Sequence, residues 1–277
     1  MPRALELLAY YDVLDRPLTR EELGGEVDDE RISSRDGYYY INNREYLVPL
    51  RLERERIAKH KWRRMRRIAW FLRLVPFVRA VFASGSLSMN NTDELSDLDV
   101  VVIAKHGRIW TTRLLLSGLL SLLRARRKHE DGIAPDKLCP NHFITDQSLG
   151  IGFRSMYTAQ LYAHLVPLIA VDRALIENFK KENAWVLGYA HRWEMDVKQA
   201  RRPFVVARLC EWFLARKVGE WMEKKAAAYQ QHRIASRTVH LRPGGHVVYN
   251  NSVLAFHAGS SEAEILKKYE NTKAQLT

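Results

Sequence analysis

"FASGSLSMNNTDELSDLDVVVI", residues 82–103, carries two signals that fit one reading. A strand-like run, "VRAVFA", leads to the small pair Gly85-Ser86, and after ten intervening residues Asp97-Leu98-Asp99 opens a second apolar run, "DLDVVVIAK". Alternate residues of a strand share a face, so Asp97 and Asp99 are expected to point one way while Leu98 and Val100 point into the core. Two like charges side by side repel, and burial disfavours both. A divalent cation offsets this. Mg²⁺ (or Mn²⁺) takes hard oxygen ligands, commonly one or two carboxylates with substrate phosphates completing the shell. Glycine lets backbone approach a phosphate closely, and the N–H groups of the turn, with the Ser86 hydroxyl, can bind triphosphate oxygens. Gly85 and Ser86 are therefore candidate nucleotide-binding residues, and Asp97 and Asp99 candidate metal ligands and catalytic residues. Taken singly, a Gly-Ser turn and an Asp-x-Asp pair are common; the spacing between two strand signals is what joins them.

Outward from this stretch, residues 74–150 alternate strand and helix signals. "VRAVFASG" and "DLDVVVIAK" read as strands, "RIWTTRLLLSGLLSLLRARR" as a helix and "KLCPNHFIT" as a third strand, a mixed α/β (α+β) core. Residues 1–50 read as a unit of their own, with the outline of a winged helix. A helix spans 4–14, a short helix is capped by Thr19 and Glu22, and a hairpin at 35–43 turns at Asp36-Gly37. Such a unit either binds nucleic acid or merely packs. Between the two lies 51–73, expected as one long connector helix. Ala58, Trp62, Met65, Ala69 and Leu72 make its apolar stripe, and ten Arg or Lys against two Glu fill the rest. Arg63, Arg64, Arg66 and Arg67 are its candidate nucleic-acid contacts, the alternative being a solvated face. From 151 to 277 the pattern is mostly helical, with "SMYTAQLYAHLVPLIAV", "RALIENFKKENAWVLGYA" and "FVVARLCEWFLARKVGEWMEKKAAAYQQ" as helix candidates, a hairpin or loop at 240–256 and a last helix capped by Ser261 and Glu264.

The strand, Gly-Ser turn and Asp-x-Asp pair resemble the fingerprint of the DNA polymerase β-type nucleotidyltransferase superfamily: strand, Gly-Ser, short helix, then Asp-x-Asp opening the next strand. The likeness covers about residues 75–150. The wider order of winged helix, basic helix, core and helical tail is similar to a little-studied prokaryotic group within that superfamily. The resemblance implies a small nucleotidyltransferase sheet core that moves a nucleoside monophosphate from a nucleoside triphosphate such as ATP to an acceptor hydroxyl, with Mg²⁺ held by the two aspartates. The chain departs from the family pattern twice. Many members carry a glycine four residues after the serine, where this chain has Asn90, a residue that tolerates left-handed backbone. The family also usually has a third carboxylate on a later strand. Here that strand is "KLCPNHFIT", where alternation puts Cys139, Asn141 and Phe143 on one face, so Asn141, a neutral amide, is expected at the third catalytic position. Asp136 and Asp146 flank the strand. An amide ligates weakly and is no general base.

Composition narrows the partners. The net charge is +12 and the isoelectric point about 9.7, which favours polyanions: nucleic acid first, an anionic membrane face second. RNA is the expected acceptor. Transfer to a protein side chain or a small molecule is a second possibility, and a degenerate binding or regulatory module a third. Two cysteines, Cys139 and Cys210, without a CxxC pair exclude a disulfide scaffold and a zinc knuckle, and suit a cytoplasmic location. The longest apolar run, "LLLSGLLSLL" (114–123), is too short for a transmembrane span. The ten histidines form no HxxxH or HxH pair; His142, beside Asn141, either reaches the site or, as the plainer reading, is structural. Trp212 and Trp221 read as core residues before base-stacking platforms, and "RARRK" (124–128) is a second basic cluster or simply a solvated helix end.

Overall fold

The first helix, α1 (Ala4–Val13), buries Leu7, Leu8, Ala9, Tyr10 and Tyr11. A two-residue strand, β1 (Leu18–Thr19), leads into the one-turn helix α2 (Arg20–Leu23). The expected capping box is present: the Glu22 N–H donates to the Thr19 hydroxyl oxygen, and the Thr19 N–H donates to the Glu22 carboxylate. β2 (Ile32–Arg35) and β3 (Tyr38–Ile41) form the hairpin, closed by Asp36 and Gly37 at φ +53° and +81°. β1 pairs with β3 to make a three-stranded sheet. This unit shares its hydrophobic cluster with Tyr269 and Leu276 near the other end of the chain. The computed structural model describes residues 4–128, 131–193, 195–236 and 241–276; His240, first residue of the expected hairpin, lies outside the described residues.

The basic helix, α3 (Leu47–Leu72), begins before residue 51 and lays its stripe on the core: Ala58, Met65, Ala69 and Leu72 are buried and Trp62 half-buried. After it come β4 (Val78–Ser84), the single turn α4 (Gly85–Ser88), β5 (Leu98–Ala104), α5 (Ile109–Leu122) and β6 (Leu138–Thr145). α6 (Met156–Ala163) is followed by β7 (Val166–Ala170) and α7 (Arg173–Glu182). α8 (Val205–Phe213) and α9 (Lys217–Ala235) precede the hairpin β8 (His246–Tyr249) and β9 (Val253–His257), and α10 (Glu262–Gln275) ends the described chain. The fold is mixed α+β, built on a six-stranded mixed sheet of order β7-β4-β5-β6-β9-β8. β5 and β6 are parallel; the other neighbours are antiparallel. One face of the sheet packs on α3, α5 and part of α9, the other on α6 and α7.

The region from 151 onward, expected to be mostly helical, supplies half of this sheet: β7, β8 and β9. "SMYTAQLYAHLVPLIAV" is not one helix. It stops at His164 and becomes a strand, because Pro167 pushes the residue before it out of the helical region and β-branched residues follow. "FVVARLCEWFLARKVGEWMEKKAAAYQQ" is broken into α8 and α9. Gly219 makes that corner, since a Cβ there would sit 1.7 Å from the Leu214 carbonyl oxygen. The Ser261 cap is also corrected: Ser261 makes no side-chain cap bond, and the Glu262 N–H donates instead to the Ser260 hydroxyl. Trp212 and Trp221 are not core residues; they are 69% and 61% exposed. α9 is held instead by Glu223, whose carboxylate accepts from the Trp110 and Thr111 N–H groups at the start of α5, 2.9 and 2.8 Å away.

α3 is pinned to the N-terminal unit by charge. Glu22 accepts from Arg16 and from both Arg51 terminal nitrogens. Burial alone would raise the Glu22 carboxyl; Arg16, Arg51 and the Thr19 N–H outweigh it and hold it down at about 2. Glu22→Gln should therefore cost ~2 kcal/mol of stability at neutral pH. The folded carboxyl lies below its ordinary value of 4.5, so the wild-type advantage is complete above that pH and shrinks as pH falls toward about 2. Urea unfolding of both proteins from about pH 7 down to about pH 3 reads this directly; a constant difference across that window would contradict the ion-pair origin.

Candidate functional site

β4 and β5 run antiparallel with Ser84 opposite Asp99, so the end of β4 delivers Gly85 onto the Asp99 carboxylate. Gly85 has φ +72°, and a Cβ there would lie 2.6 Å from Asp99 Oδ2. The left-handed backbone and the close approach both call for glycine. Leu98 and Val100 point into the core cluster beneath α3 and α5, leaving Asp99 on the opposite face. Ser86 is half-buried in the single turn that follows. Asn90 adopts the left-handed backbone, φ +51°, and its amide oxygen accepts from the Trp62 indole N–H at 2.9 Å.

Asp97 is ion-paired with Arg127. Asp99 is crowded by protein but opens onto two cavities, and its Oδ1 accepts from Asn141 Nδ2 at 2.9 Å. Burial, then the neighbouring Asp97 charge, push the Asp99 carboxyl well above the usual carboxylate range; Arg127 and the Asn141 amide oppose this less strongly. Cys139 lies directly opposite Asp99 on the parallel strand β6. Burial and the two carboxylates push its thiol up, so it stays protonated. Among the described residues, Asp97, Asp99 and Cys139 are the side chains grouped closely enough to share a metal ion, with ligand atoms within 4.8 Å of one another. A protonated thiol is a poor ligand for a hard cation, so the donor set that fits Mg²⁺ or Mn²⁺ is the two carboxylates, with remaining positions open to a substrate's oxygens.

Asn141, expected at the third catalytic position, places its amide against Asp99. The shared face expected for Cys139, Asn141 and Phe143 is broken by a bulge: Val100 pairs with Pro140 but Val101 with His142, which makes Asn141 the extra residue. Asn141 and His142 both turn toward the Asp99 side, and Phe143 moves into the cluster under α3 and α5. Neither flanking carboxylate replaces Asn141. Asp136 accepts from Lys61 Nζ at 2.8 Å, and Asp146 accepts from the His106 N–H at 2.8 Å. His142 is buried, hydrogen-bonded through Nδ1 to the Tyr162 hydroxyl at 2.8 Å, and burial holds it neutral, with a pKa lowered to about 3.

Several residues of this site had no signal in the sequence. Lys61, counted among the cations of the basic helix, is only 3% exposed. Its ammonium donates to the Glu94 and Ser96 carbonyls as well as to Asp136, which ties α3 to the segments that lead into both β5 and β6. Arg127 belongs to "RARRK", which is not a helix end. α5 stops at Leu122, Arg124 turns with φ +54°, and Arg126 bridges to Leu138 beside β6. Arg63, Arg64, Arg66 and Arg67 are all exposed, and Arg64 Nε donates to the Asp136 carbonyl at 2.8 Å. Arg66 and Arg67 line a groove of about 760 Å³ that reaches Ser88 and Asn90 beside the Gly-Ser turn. Two further cavities meet at Asp99, Asn141 and Tyr157. One, of about 100 Å³, is walled by Gly85, His142, Phe153 and His246; the other, of about 500 Å³, by Arg113, Arg126, Arg127 and Lys128.

No family model matches this chain, and no curated protein or solved structure matches it. Gly85→Ala should lower stability by ~2 kcal/mol, through left-handed strain plus contact with Asp99. Adding Asp99→Ala should return the steric share and leave the backbone share, on the order of 1 kcal/mol. Thermal or urea unfolding of the two single variants and the double variant measures this; simple additivity would contradict the close approach.

Proposed function

We propose that this protein is a Mg²⁺-dependent nucleotidyltransferase that moves a nucleoside monophosphate from a nucleoside triphosphate to an acceptor hydroxyl on RNA. The observation that carries the reading is the pairing of Asp97 and Asp99 at the start of one strand, with Gly85 pressed against Asp99 from the strand beside it. Two carboxylates kept together, one of them pushed toward neutrality, are unfavourable unless a cation uses them. A buried apolar pair would cost the fold less.

In this reading Asp97 and Asp99 would hold the cation. When bound, it neutralises triphosphate charge and raises the acidity of the acceptor hydroxyl. Gly85 and Ser86 bind phosphate oxygens through backbone N–H and hydroxyl groups. The acceptor oxygen forms a bond to the α-phosphorus, the bond from that phosphorus to pyrophosphate breaks, and the hydroxyl proton leaves to solvent. Asn141 holds Asp99 by a hydrogen bond; as an amide it takes no proton, so the reaction lacks a dedicated base at the third position. Arg126, Arg127 and Lys128, walling the larger cavity beside Asp99, supply the positive field for a phosphate-bearing acceptor. The net charge of +12 and the exposed arginines of α3 favour RNA over a protein side chain or a small neutral acceptor.

The test is incubation with each labelled nucleoside triphosphate, Mg²⁺ and total RNA. RNA should take label with the wild type and lose at least ~99% of it with Asp99→Asn, while the stability of that variant without cation holds or rises, because a like charge has been removed. Full transfer by Asp99→Asn would sink the proposal. Nucleotide binding without any transfer would favour the degenerate binding module, a reading to which the amide at the third position lends support. In parallel, Arg63→Gln/Arg64→Gln/Arg66→Gln/Arg67→Gln should weaken RNA affinity by about tenfold or more and reduce the salt slope by ~3. An unchanged slope would leave α3 as a connector.

A further inference from the structure

α8 carries its apolar face outward. At about 100° per residue, Val205, Val206, Leu209, Trp212 and Phe213 fall within one arc of roughly 120°, and all five are exposed. The opposite side of the helix is what the fold uses. Ala207 is buried, and Glu211 accepts from the Phe77 N–H at 2.7 Å and from Arg79 at 2.9 and 3.0 Å. Past the corner, Val218 and Trp221 continue the exposed surface, and beside its start Trp70 packs edge-on to Phe204, 5.2 Å between ring centres. A soluble surface scatters single apolar residues; a contiguous run of this kind marks an interaction site.

Charge names the partner. Between residues 201 and 221 lie Arg201, Arg202, Arg208, Arg216 and Lys217, all exposed, against the exposed Glu220 and against Glu211, whose charge is spent inward on Arg79. Arg73 joins this rim: its guanidinium lies over the Phe204 ring at 3.8 Å and donates to the Arg202 carbonyl. An aliphatic and tryptophan face ringed by cations complements a bilayer surface, with apolar side chains in the acyl boundary, Trp at the headgroup level and Arg or Lys on anionic phosphates. A second copy of the chain would bring the same cationic rim against itself. RNA offers phosphates but no apolar phase for Val205, Leu209 and Phe213.

We propose that the outward face of α8, extended by Val218 and Trp221, is a docking surface for an anionic lipid bilayer. The full chain should float with vesicles of phosphatidylcholine and phosphatidylglycerol, bind phosphatidylcholine vesicles at least tenfold more weakly, and shift its tryptophan emission to the blue on the former. Leu209→Ser/Trp212→Ser/Phe213→Ser leaves the net charge at +12. It should nevertheless lose at least tenfold in vesicle affinity, with its melting temperature held within a few degrees because the face supports no core. Attachment through the cations of α3 alone would survive these substitutions, so undiminished vesicle binding by the triple variant overturns the proposal. Absence of binding to anionic vesicles overturns it too. So does a wild-type dimer in sedimentation that the triple variant dissolves, which would assign the face to a second copy, or a loss of RNA affinity in the triple variant without a loss of vesicle affinity.

Discussion

Asp99 sits where the end of one strand meets the start of another, with a second carboxylate two residues before it, and its surroundings follow from that. Gly85 lacks a side chain so that the carboxylate can approach its backbone. Asn141 turns its amide inward to donate to Asp99, and Arg127 crosses from the far side of β6 to pair with Asp97. Lys61 ties down the two segments that enter this end of the sheet. These groups offset the repulsion only in part, since the Asp99 carboxyl remains raised. A fold that needed only stability would place an apolar residue there. On the function proposed above, that residual cost is offset when a divalent cation arrives with a phosphate-bearing substrate, a ligand that two carboxylates beside a glycine turn suit.

The chain's positive charge divides into two populations. Arg51 and Lys61 are buried and consumed by Glu22, Asp136 and backbone carbonyls; Arg54 donates to the Leu14 and Asp15 carbonyls and to Asn91. These cations are structural, and they pin α3 across both the N-terminal unit and the sheet. A second set stays exposed, on the outer face of α3 and around α8. These exposed cations, together with Lys128 at the larger cavity beside Asp99, are open to polyanions, and the α3 and α8 sets differ in kind. Around α8 the cations ring an outward apolar face, whereas on α3 Arg66 and Arg67 share a groove with Trp62, Trp70 and the start of β7. On the two proposals above, the α3 surface meets a nucleic acid and the α8 surface a bilayer.

Much of this was legible in the sequence where local chemistry fixes the outcome. The alternation Asp97-Leu98-Asp99-Val100, the Thr19–Glu22 box, the Asp36-Gly37 turn and the stripe Ala58-Met65-Ala69-Leu72 are short-range patterns, and each forms as its spacing implies. What was not legible depends on distant partners. The bulge at Asn141 is a property of how β6 pairs with β5, and it moves Phe143 to the other face without any mark in "KLCPNHFIT". β7 hid behind α6 because a five-residue apolar strand after a helix reads as more helix until Pro167 is weighed. Arg127 and Lys61 looked like any surface cation, since nothing local says which cation meets a carboxylate or a carbonyl across the fold. Trp212 and Trp221 have the spacing of a core stripe, and periodicity reports that a face is apolar without saying whether the protein or something else covers it.

The central claim is that Asp97 and Asp99 are kept together for a divalent cation that arrives with a nucleoside triphosphate. The most direct measurement is the electron paramagnetic resonance signal of free Mn²⁺ titrated into the protein in the presence of a non-hydrolysable nucleoside triphosphate. The wild-type chain should take up Mn²⁺ in stoichiometric proportion and only with the nucleotide, and Asp99→Asn, still folded by circular dichroism, should lose that uptake. Uptake that is equal in Asp99→Asn, or absent from the wild type at nucleotide concentrations well above those of the protein, would contradict it.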